Sequence, residues 1–296
     1  MRTPRPAHPL SGRTVVVTGA ARGVGEAVAR ALDARGAHLA LLGLEGPRLR
    51  TVTGSLRGEA ACWEVDVTDD EAMAETAREV RARLGPVSAV VANAGIAEGG
   101  PFADSDPALW RRVVEVNLIG SATTARCFLP DVLRTRGYYL QVASLAAMGA
   151  SPFMSAYCAS KAGVESFAHA LRAELAHRGV AVGIAYLNWT DTDMIRDADR
   201  HTVLRELRAH MPPPARKVYP AAQVAEHLAD AVERRRPSVY VPAWLRAVQP
   251  VRSFLPPLVT RVAGFELPRL ERAAAFEETG PLGAGGRADT AFRAAG

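Results

Sequence analysis

The chain has 296 residues, 48% hydrophobic and 23% charged, which is typical of a globular protein long enough for one large α/β domain or two smaller domains. Its net charge of +5 comes from dispersed arginines, since only Lys161 and Lys217 among the 36 basic residues are lysines. The longest basic block is Arg234–Arg236, which argues against nucleic-acid binding.

The amino terminus and the cysteines bear on the compartment. Residues 1–10 carry three prolines and no apolar core, so we predict no secretory signal and assign residues 1–11 to a flexible arm. The sequence contains no run of about 18 apolar residues, so we predict no transmembrane segment. Cys62, Cys127 and Cys158 are odd in number and form no Cys-x-x-Cys pair, which favours free thiols. We therefore expect a cytoplasmic protein.

Short apolar segments bounded by Gly, Asp or Pro alternate with segments of helical periodicity through most of the chain. The predicted strands, in chain order, are 14–18, 38–42, 61–65, 89–93, 139–144, 180–187 and 238–242. The first predicted helix contains Val24 and Leu32, and Gly36 closes it. This alternation predicts an α/β fold with one doubly wound domain over residues 12–242, whose seven-stranded, mostly parallel sheet is flanked by helices on both faces.

The remainder of the chain has a different composition. Residues 243–276 form an apolar, arginine-rich extension interrupted by prolines. This extension could cover a pocket, pack on a partner subunit or lie on a membrane surface, and its prolines argue against one long amphipathic helix. We therefore favour pocket or subunit packing. Residues 277–296 are rich in Gly, Ala and Arg and are expected to be disordered.

A glycine-rich turn joins the first strand to the first helix. Gly19, Gly23 and Gly25 follow Thr18 in the pattern TGxxxGxG. Glycines let a backbone approach a pyrophosphate closely, and the helix amino terminus offers unpaired N–H groups. Three glycines could also simply form a tight turn. Their position between a strand and a helix favours nucleotide binding.

Tyr157 and Lys161 share one face of the predicted helix 156–177, because they are four residues apart. A free tyrosine has a pKa of about 10, and a nearby ammonium favours the phenolate, so we expect the pKa of Tyr157 to be lowered. Tyr157 would then act as a general acid/base between a hydroxyl and a carbonyl group. Ser144, at the end of a predicted strand, could donate to the substrate oxygen. A YxxxK pair on its own also occurs by chance on many helices.

Together these motifs resemble the short-chain dehydrogenase/reductase family in its common short form. The resemblance covers nearly all of residues 12–242 and rests on six elements in order: TGxxxGxG, Asp66 of EVDVTD, the run VANAG, Asn117 of VEVNLIG, Ser144, and Tyr157 with Lys161. It implies a Rossmann-type fold, an NAD or NADP cofactor, and a homodimer or homotetramer formed through helices near 107–134 and 157–177.

The resemblance also implies roles for individual residues. Catalysis would use Tyr157, Lys161, Ser144 and Asn117, with Asn117 bending a helix and holding a water that connects the lysine to solvent. Cofactor binding would use Gly19, Arg22, Gly23, Val24, Gly25, Asp66, Val67, Asn93, Ala94, Gly95, Tyr157, Lys161 and Thr192. Asp66 and the backbone of Val67 would contact the adenine, and Thr192 would bond the nicotinamide carboxamide.

Two departures from the family pattern affect the cofactor site. Leu187 and Asn188 stand where Pro-Gly is usual, which changes the local backbone. Gly43 occupies the position of the acid that binds the adenosine ribose. Arg22 could pair with a 2′-phosphate and favour NADP, whereas Glu45 could reach the ribose and favour NAD. The residues leave this choice open.

Residues 188–219 form a segment long enough to be functional, and its apolar side chains indicate a lipophilic substrate. We therefore expect an oxidoreductase that interconverts a secondary alcohol and a ketone on a terpenoid, steroid-like or polyketide metabolite. The alternatives are a catalytically silent dinucleotide-binding sensor and an enoyl reductase. Retention of all four catalytic residues favours the enzyme, and a wider Tyr–Lys separation is usual for enoyl reduction. The histidines are scattered and predict no metal site.

Overall fold

The computed structural model describes residues 8–273, 275 and 277–295. Its strands are β1 (Thr14–Thr18), β2 (His38–Gly43), β3 (Ala60–Glu64), β4 (Val87–Ala92), β5 (Tyr138–Ser144), β6 (Ala181–Leu187), β7 (Thr190–Asp191), β8 (Tyr219–Pro220) and β9 (Ser238–Val241). Seven of them form one parallel sheet in the order β3-β2-β1-β4-β5-β6-β9, and β7 pairs with β8 separately. The predicted doubly wound α/β fold is confirmed.

Helices connect the strands and continue beyond the last one. They are α1 (Gly23–Asp33), α2 (Gly46–Gly54), α3 (Asp70–Leu84), α4 (Pro107–Val114), α5 (Gly120–Arg134), α6 (Ser155–Leu175), α7 (Asp193–Ala198), α8 (Thr202–Ala209), α9 (Pro213–Arg216), α10 (Ala221–Arg234), α11 (Leu245–Val248), α12 (Leu255–Ala273) and α13 (Gly283–Ala295). A side-chain oxygen of Asp69 accepts from Ala72 N and begins α3.

Both faces of the sheet are covered, which explains why its strands are almost continuously apolar. Side chains alternate along β1, so Val16 joins the core beneath α3, α5 and α6, whereas Val15 and Val17 join the core beneath α1, α2 and α10. All three valines are fully buried. This burial on both faces anchors the strand ends from which the glycine turn and the other site loops extend.

The strand order reverses between β1 and β4, and this reversal creates a crevice at the carboxyl ends of the two strands. The turn after β1 and the loop after β4 both open into the crevice. They are joined there because Thr18 Oγ1 accepts from the backbone N–H groups of Asn93 and Ala94, each at 3.0 Å. The topology therefore brings the glycine turn and the VANAG run together.

The long segment 107–134 is helical but not uniformly α-helical. A π-helical turn, Glu115–Ile119, lies between α4 and α5 and contains Asn117. Such single turns widen a helix locally and are frequent at functional sites. The helix therefore departs from regular α-helical geometry at Asn117, the residue at which the resemblance implies a bend.

The extension 243–276 differs from its expected form, because most of it is the 19-residue helix α12 despite its prolines. Pro256 and Pro257 fall in the first turn, where backbone N–H groups have no acceptor within the helix, so proline loses no hydrogen bond there. Only Pro268 lies in the helix interior. A stripe of large apolar side chains faces solvent here, formed by Phe254 just before the helix and by Leu258, Val262 and Phe265 within it.

The base of this extension is tied to α6 by polar contacts. The buried carboxylate of Glu165 accepts from Tyr186 Oη at 2.6 Å and from Arg252 at 2.5 Å. Burial alone would raise the pKa of Glu165, but these hydrogen bonds lower it below its ordinary value. The extension therefore packs directly on the helix that carries Tyr157.

The two chain ends also differ from expectation. Residues 277–296 are expected to be disordered, yet the structure has helix α13 at Gly283–Ala295, because ion pairs fix a segment that composition alone would leave loose. Of the expected flexible arm, residues 1–7 lie outside the described residues, as do 274, 276 and 296. Leu10, within that arm, is 5% exposed and belongs to the core.

Across the described residues, no helix combines the length and the apolarity needed to cross a membrane.

Candidate active site

One cavity at the carboxyl end of the sheet contains most of the residues that the sequence singles out. Its lining includes Gly19, Arg22, Gly23, Val24, Asp66, Val67, Asn93, Ala94, Gly95, Ser144, Tyr157, Lys161 and Thr192. Gly25 and Asn117 are outside this lining but approach two of its residues, Gly19 and Gly95 respectively. Thus side chains from the turn after β1, the loops after β3, β4, β5 and β6, and helix α6 meet in one groove.

The glycine turn leaves no space for side chains. Gly19 and Gly23 have positive φ angles of 63° and 55°, a conformation that L side chains rarely adopt. A Cβ built at Gly25 would lie 2.1 Å from Gly19 O, and one built at Gly19 would lie 2.9 Å from Ala94 Cα. These three positions therefore require glycine, and the turn forms a close backbone cradle at the amino terminus of α1.

That cradle fits the phosphates of a dinucleotide. The first turn of α1 presents unpaired N–H groups and the positive end of the helix dipole to the groove. Gly95 closes the opposite wall, where an added Cβ would lie 3.0 Å from Asn117 Oδ1 and 3.6 Å from Lys161 Nζ. A nicotinamide dinucleotide would thus be held by Gly19, Gly23 and Gly95.

Lys161 and Tyr157 lie side by side on α6, as their spacing predicts. Lys161 is 5% exposed, and its Nζ lies 5.6 Å from the centre of the Tyr157 ring. Nζ donates one hydrogen bond, to Val142 O at 3.3 Å. Burial lowers the pKa of Lys161 to about 8, so the ammonium is still the main form at neutral pH.

The expected lowering of the Tyr157 pKa is wrong for the protein by itself. Burial raises that pKa to about 12, and the hydrogen bond with Ser144 offsets only part of the increase. Desolvation of the hydroxyl is the largest cause of this rise. The protein therefore holds Tyr157 as a neutral phenol, the form that can donate a proton.

Ser144 and Asn117 position this pair. Ser144 ends β5, accepts from Ala146 N at 3.2 Å and hydrogen bonds with the Tyr157 hydroxyl. Asn117 accepts from Ile96 N at 2.9 Å and donates to Ile96 O and to Ser160 Oγ, which in turn donates to Tyr157 O. The π-helical turn therefore fixes both the loop after β4 and the first turns of α6.

Arg22 and Glu45, which the sequence leaves as opposing determinants of the cofactor, bind each other. Arg22 makes a two-pronged contact with the Glu45 carboxylate and donates to Asp193 Oδ2 at 2.7 Å. The hydrogen bond with Glu45 raises the pKa of Arg22 above its ordinary value. At this end of the groove, the cation is thus already neutralised by two carboxylates.

Asp66 lies at the far end of the groove. Its carboxylate accepts from Thr68 N and Thr68 Oγ1 at 2.9 and 2.8 Å, and from Arg112 at 2.5 Å. Burial would raise the pKa of Asp66, but these bonds lower it, so the carboxylate stays ionised. Thr192 begins α7 and packs against Gly23.

Sequence reasoning missed several groove residues. Arg112 and Asp193 line or support the groove through ion pairs, and Leu282, Gly285 and Asp289 come from the chain end. Arg112 occupies a buried position of the amphipathic helix α4, which is the one available signal for it. No local pattern marks the others, because their partners are more than 150 residues away.

No group of His, Cys, Asp and Glu side chains within the described ranges could hold a metal ion. The three cysteines are free thiols.

Comparisons with known proteins agree with this geometry. The family model for short chain dehydrogenases matches residues 13–202. A short chain dehydrogenase of Pseudocercospora fijiensis is 34% identical over 70% of this chain and 71% of its own length. An acetoacetyl-CoA reductase of Synechocystis is 33% identical over 67% of this chain and 81% of its own length.

A solved structure shows the same fold. A short chain dehydrogenase/reductase from Burkholderia phymatum, in complex with NAD, has a TM-score of 0.71 and 26% identity, covering 81% of this chain and 92% of its own. The family model covers well over half of this chain, and the P. fijiensis relative is matched over more than two thirds of its length. The chain belongs to the short-chain dehydrogenase/reductase family of oxidoreductases.

Proposed function

We propose that this protein interconverts a secondary alcohol and a ketone with NAD as the hydride carrier. The observation that carries this proposal is the placement of the Tyr157 hydroxyl, bonded to Ser144 and adjacent to buried Lys161, in the same groove as the glycine cradle. A sensor that only bound the dinucleotide would need the cradle but not this pair.

Each protein group has a distinct task in ketone reduction. Ser144 donates a hydrogen bond to the substrate oxygen and stabilises the negative charge that develops there. Tyr157, with its pKa raised to about 12, gives its proton to that oxygen. The nicotinamide, when bound, supplies or accepts the hydride.

Alcohol oxidation requires the reverse proton transfer to a Tyr157 phenolate. Lys161, as an ammonium below pH of about 8, favours that phenolate. The lysine also has two further N–H donors, which suit the ribose hydroxyls of the cofactor. Because the protein by itself keeps Tyr157 neutral, we propose ketone reduction as the easier direction at neutral pH.

We propose NAD rather than NADP from the pairing at Arg22. A 2′-phosphate carries about two negative charges near pH 7 and would have to displace a carboxylate from Arg22. It would then lie beside Glu45 and Asp193, both within hydrogen-bond distance of that guanidinium. A ribose 2′-hydroxyl carries no charge and can donate to Glu45 instead.

The substrate end of the groove supports a lipophilic compound. Tyr157 belongs to an apolar cluster with Met154, Met194, Leu204 and Leu282, and Met194 and Leu282 line the groove. A polyhydroxylated sugar would leave its hydroxyls without partners there, which is costly. We therefore propose a terpenoid, steroid-like or polyketide ketone as the substrate class. A homodimer or homotetramer and a cytoplasmic location stay predictions.

The first test is a fluorescence titration of the purified protein with NADH and with NADPH. We expect NADH to bind at least tenfold more tightly. Glu45→Gln should narrow this preference by strengthening NADPH binding, because it removes one competing charge from Arg22. Glu26→Gln is the matched control, since Glu26 pairs with Arg30 and Arg48 outside the groove lining.

The second test is a screen of lipophilic ketones with NADH, followed at the reduced-nicotinamide absorbance band. Turnover of at least one such ketone would support the proposed reaction. Tighter binding of NADPH in the wild type would overturn the cofactor assignment alone. Failure of both dinucleotides to bind would overturn the proposed function as a whole.

A further inference from the structure

The chain end lies across the groove rather than away from it. Thr279 N donates to Gly99 O at 2.7 Å, and Leu282 N donates to Ala97 O at 2.8 Å, so residues 279–282 run along the loop after β4. Glu98 and Pro281 form an antiparallel bridge within this pairing. Helix α13 then packs on α7. We call residues 277–295 the C-terminal cap.

Small residues allow the cap to approach the groove closely. A Cβ built at Gly283 would lie 2.7 Å from Met194 Cα, and one built at Gly285 would lie 4.0 Å from Arg22 Cδ. Leu282 is 1% exposed and packs with Ala97 and Ala198 at the substrate end. The cap thus contacts both the substrate end and the Arg22 end of the groove.

A buried ion pair holds the middle of α13. Asp289 accepts from Arg112 Nε at 3.0 Å and from a terminal nitrogen at 2.6 Å, and both side chains are almost fully buried. The same guanidinium donates to Asp66 at 2.5 Å. Arg112 therefore links the cap directly to the residue expected to contact the adenine.

A second, more exposed contact holds the start of α13. Asp197 Oδ2 accepts from Gly283 N at 2.8 Å and from Arg287 at 2.7 Å. Charged groups therefore fix α13 at its start and at its middle, while backbone hydrogen bonds and the buried Leu282 fix residues 279–282. Contacts of this kind can be broken and remade without unfolding a core.

With the cap in place the groove is small for its proposed ligand. The cavity volume is about 240 Å³, below the roughly 300–1,000 Å³ of ordinary small-molecule sites. A dinucleotide is a large ligand in that range, and Leu282, Gly285, Gly286 and Asp289 line the space it would enter. The docked cap therefore narrows the space that such a ligand would occupy.

Two glycines provide places where the backbone can change direction. Gly280 and Gly283 have positive φ angles of 65° and 76° and flank the buried Leu282. A Cβ at Gly280 would meet no atom within 4 Å, so this position is not sterically fixed. Positions that absorb large φ and ψ changes of this kind serve as hinges in closing lids.

We propose that the C-terminal cap is a gate over the dinucleotide groove, with the Arg112–Asp289 pair as its latch. Opening of the latch permits the dinucleotide to enter and leave, and closure seals both ends of the groove during the reaction. This inference rests on the proposed function and adds a regulated step to it. If the cap were instead a fixed wall, breaking the Arg112–Asp289 pair would leave the rate of dinucleotide entry unchanged.

The test compares wild type, Asp289→Asn and Arg287→Ala in full-length protein. Stopped-flow binding of NADH gives the association rate, and hydrogen exchange without ligand gives the protection of α13. Asp289→Asn should raise the association rate at least tenfold and reduce the protection of α13 by a similar factor. Arg287→Ala, which removes the exposed contact, should shift both quantities in the same direction by a few-fold.

Arg293→Ala is the matched control, because Arg293 is an exposed residue of the same helix and lies outside the groove lining. It should leave both quantities within twofold of wild type. An unchanged association rate in Asp289→Asn, or unchanged protection of α13, would overturn the gate. Absence of NADH binding in the wild type would instead overturn the proposed function, while the exchange data would still decide whether the latch holds the cap.

Discussion

The two regions that line the groove are held in different ways. Around Tyr157, polar groups are fixed by backbone atoms of the sheet and by buried neutral side chains, such as Val142 O for Lys161 and Ser160 for Asn117. The C-terminal cap is fixed by ion pairs such as Arg112–Asp289 and Asp197–Arg287. The first region is built to stay in place, and the second is attached by contacts that can open.

Among the residues beside the Tyr157–Lys161 pair, the largest loss of turnover that would sharpen this contrast is expected at Ser144. Replacing Ser144 with Ala removes the donor to the substrate oxygen and the hydrogen bond to Tyr157, so turnover should fall by about 10²–10³. The dissociation constant of NADH should stay within about threefold. Steady-state kinetics and fluorescence titration measure these two quantities.

Ser151→Ala is the matched control for this loss. It is the same substitution seven residues later, at a position outside the groove lining, and should retain near-normal turnover. Equal losses in the two variants would show that the change acts through local folding rather than through the reaction.

The second effect is a gain in the free energy of unfolding when Lys161 is replaced. Its pKa lies at about 8 in the folded protein against 10.5 ordinarily, so the buried ammonium costs on the order of 3 kcal/mol at pH 7. Lys161→Met should therefore raise the free energy of unfolding while abolishing turnover. Urea denaturation, fitted with a common slope, measures the change.

The sign of the pH dependence provides a separate check on Lys161. The folded protein releases this proton at lower pH than the unfolded chain, so the penalty is fully present below pH 8. Between pH 8 and 10.5 the penalty disappears, and the wild type should gain stability relative to Lys161→Met. If the difference in unfolding free energy between wild type and Lys161→Met stayed constant over this pH range, the burial of the Lys161 ammonium would be contradicted.

The smallest effect concerns the cap. Burial, and then the negative charges of Glu278 and Asp106, raise the pKa of Glu98 to about 7. Beneath the docked cap, Glu98 therefore holds a proton that it would release at its ordinary pKa of 4.5 if it were exposed, and docking weakens as pH rises from 4.5 to 7. At pH 8 the charged Glu98 should be repelled by Glu278 of the cap.

Glu98→Gln should remove this repulsion. At pH 8 we expect the variant to protect residues 279–282 from hydrogen exchange about 3–10-fold better than wild type, and at pH 5 the two should agree. Glu75→Gln is the control, because Glu75 is an exposed acid that pairs with Arg78 within α3, away from the cap. Equal protection at both pH values would contradict a charged Glu98 beneath the cap.

The comparison also explains what the sequence could and could not predict. The seven strands, the glycine turn and the Tyr157–Lys161 face depend on local periodicity and on residues close in sequence, and the sheet brought them together as expected. The sign of the Tyr157 pKa shift was not predictable, because it depends on how deeply the fold buries the hydroxyl.

The cap was not predictable for a related reason. Its composition indicates disorder, and its order depends on pairs such as Arg112–Asp289, which are 177 residues apart. The pairing of Arg22 with Glu45 likewise arises from the packing of two turns rather than from either motif. Long-range ion pairs leave no periodic signal in the sequence.

The most direct test of the central claim is a single-turnover measurement of hydride transfer in Tyr157→Phe, with Cys158→Ala as the neighbouring control. The account predicts a fall of about 10²–10⁴ in the rate for Tyr157→Phe, with NADH affinity and stability close to wild type, and little change for Cys158→Ala. A Tyr157→Phe rate within tenfold of wild type would contradict the account, because the proton would then have another source.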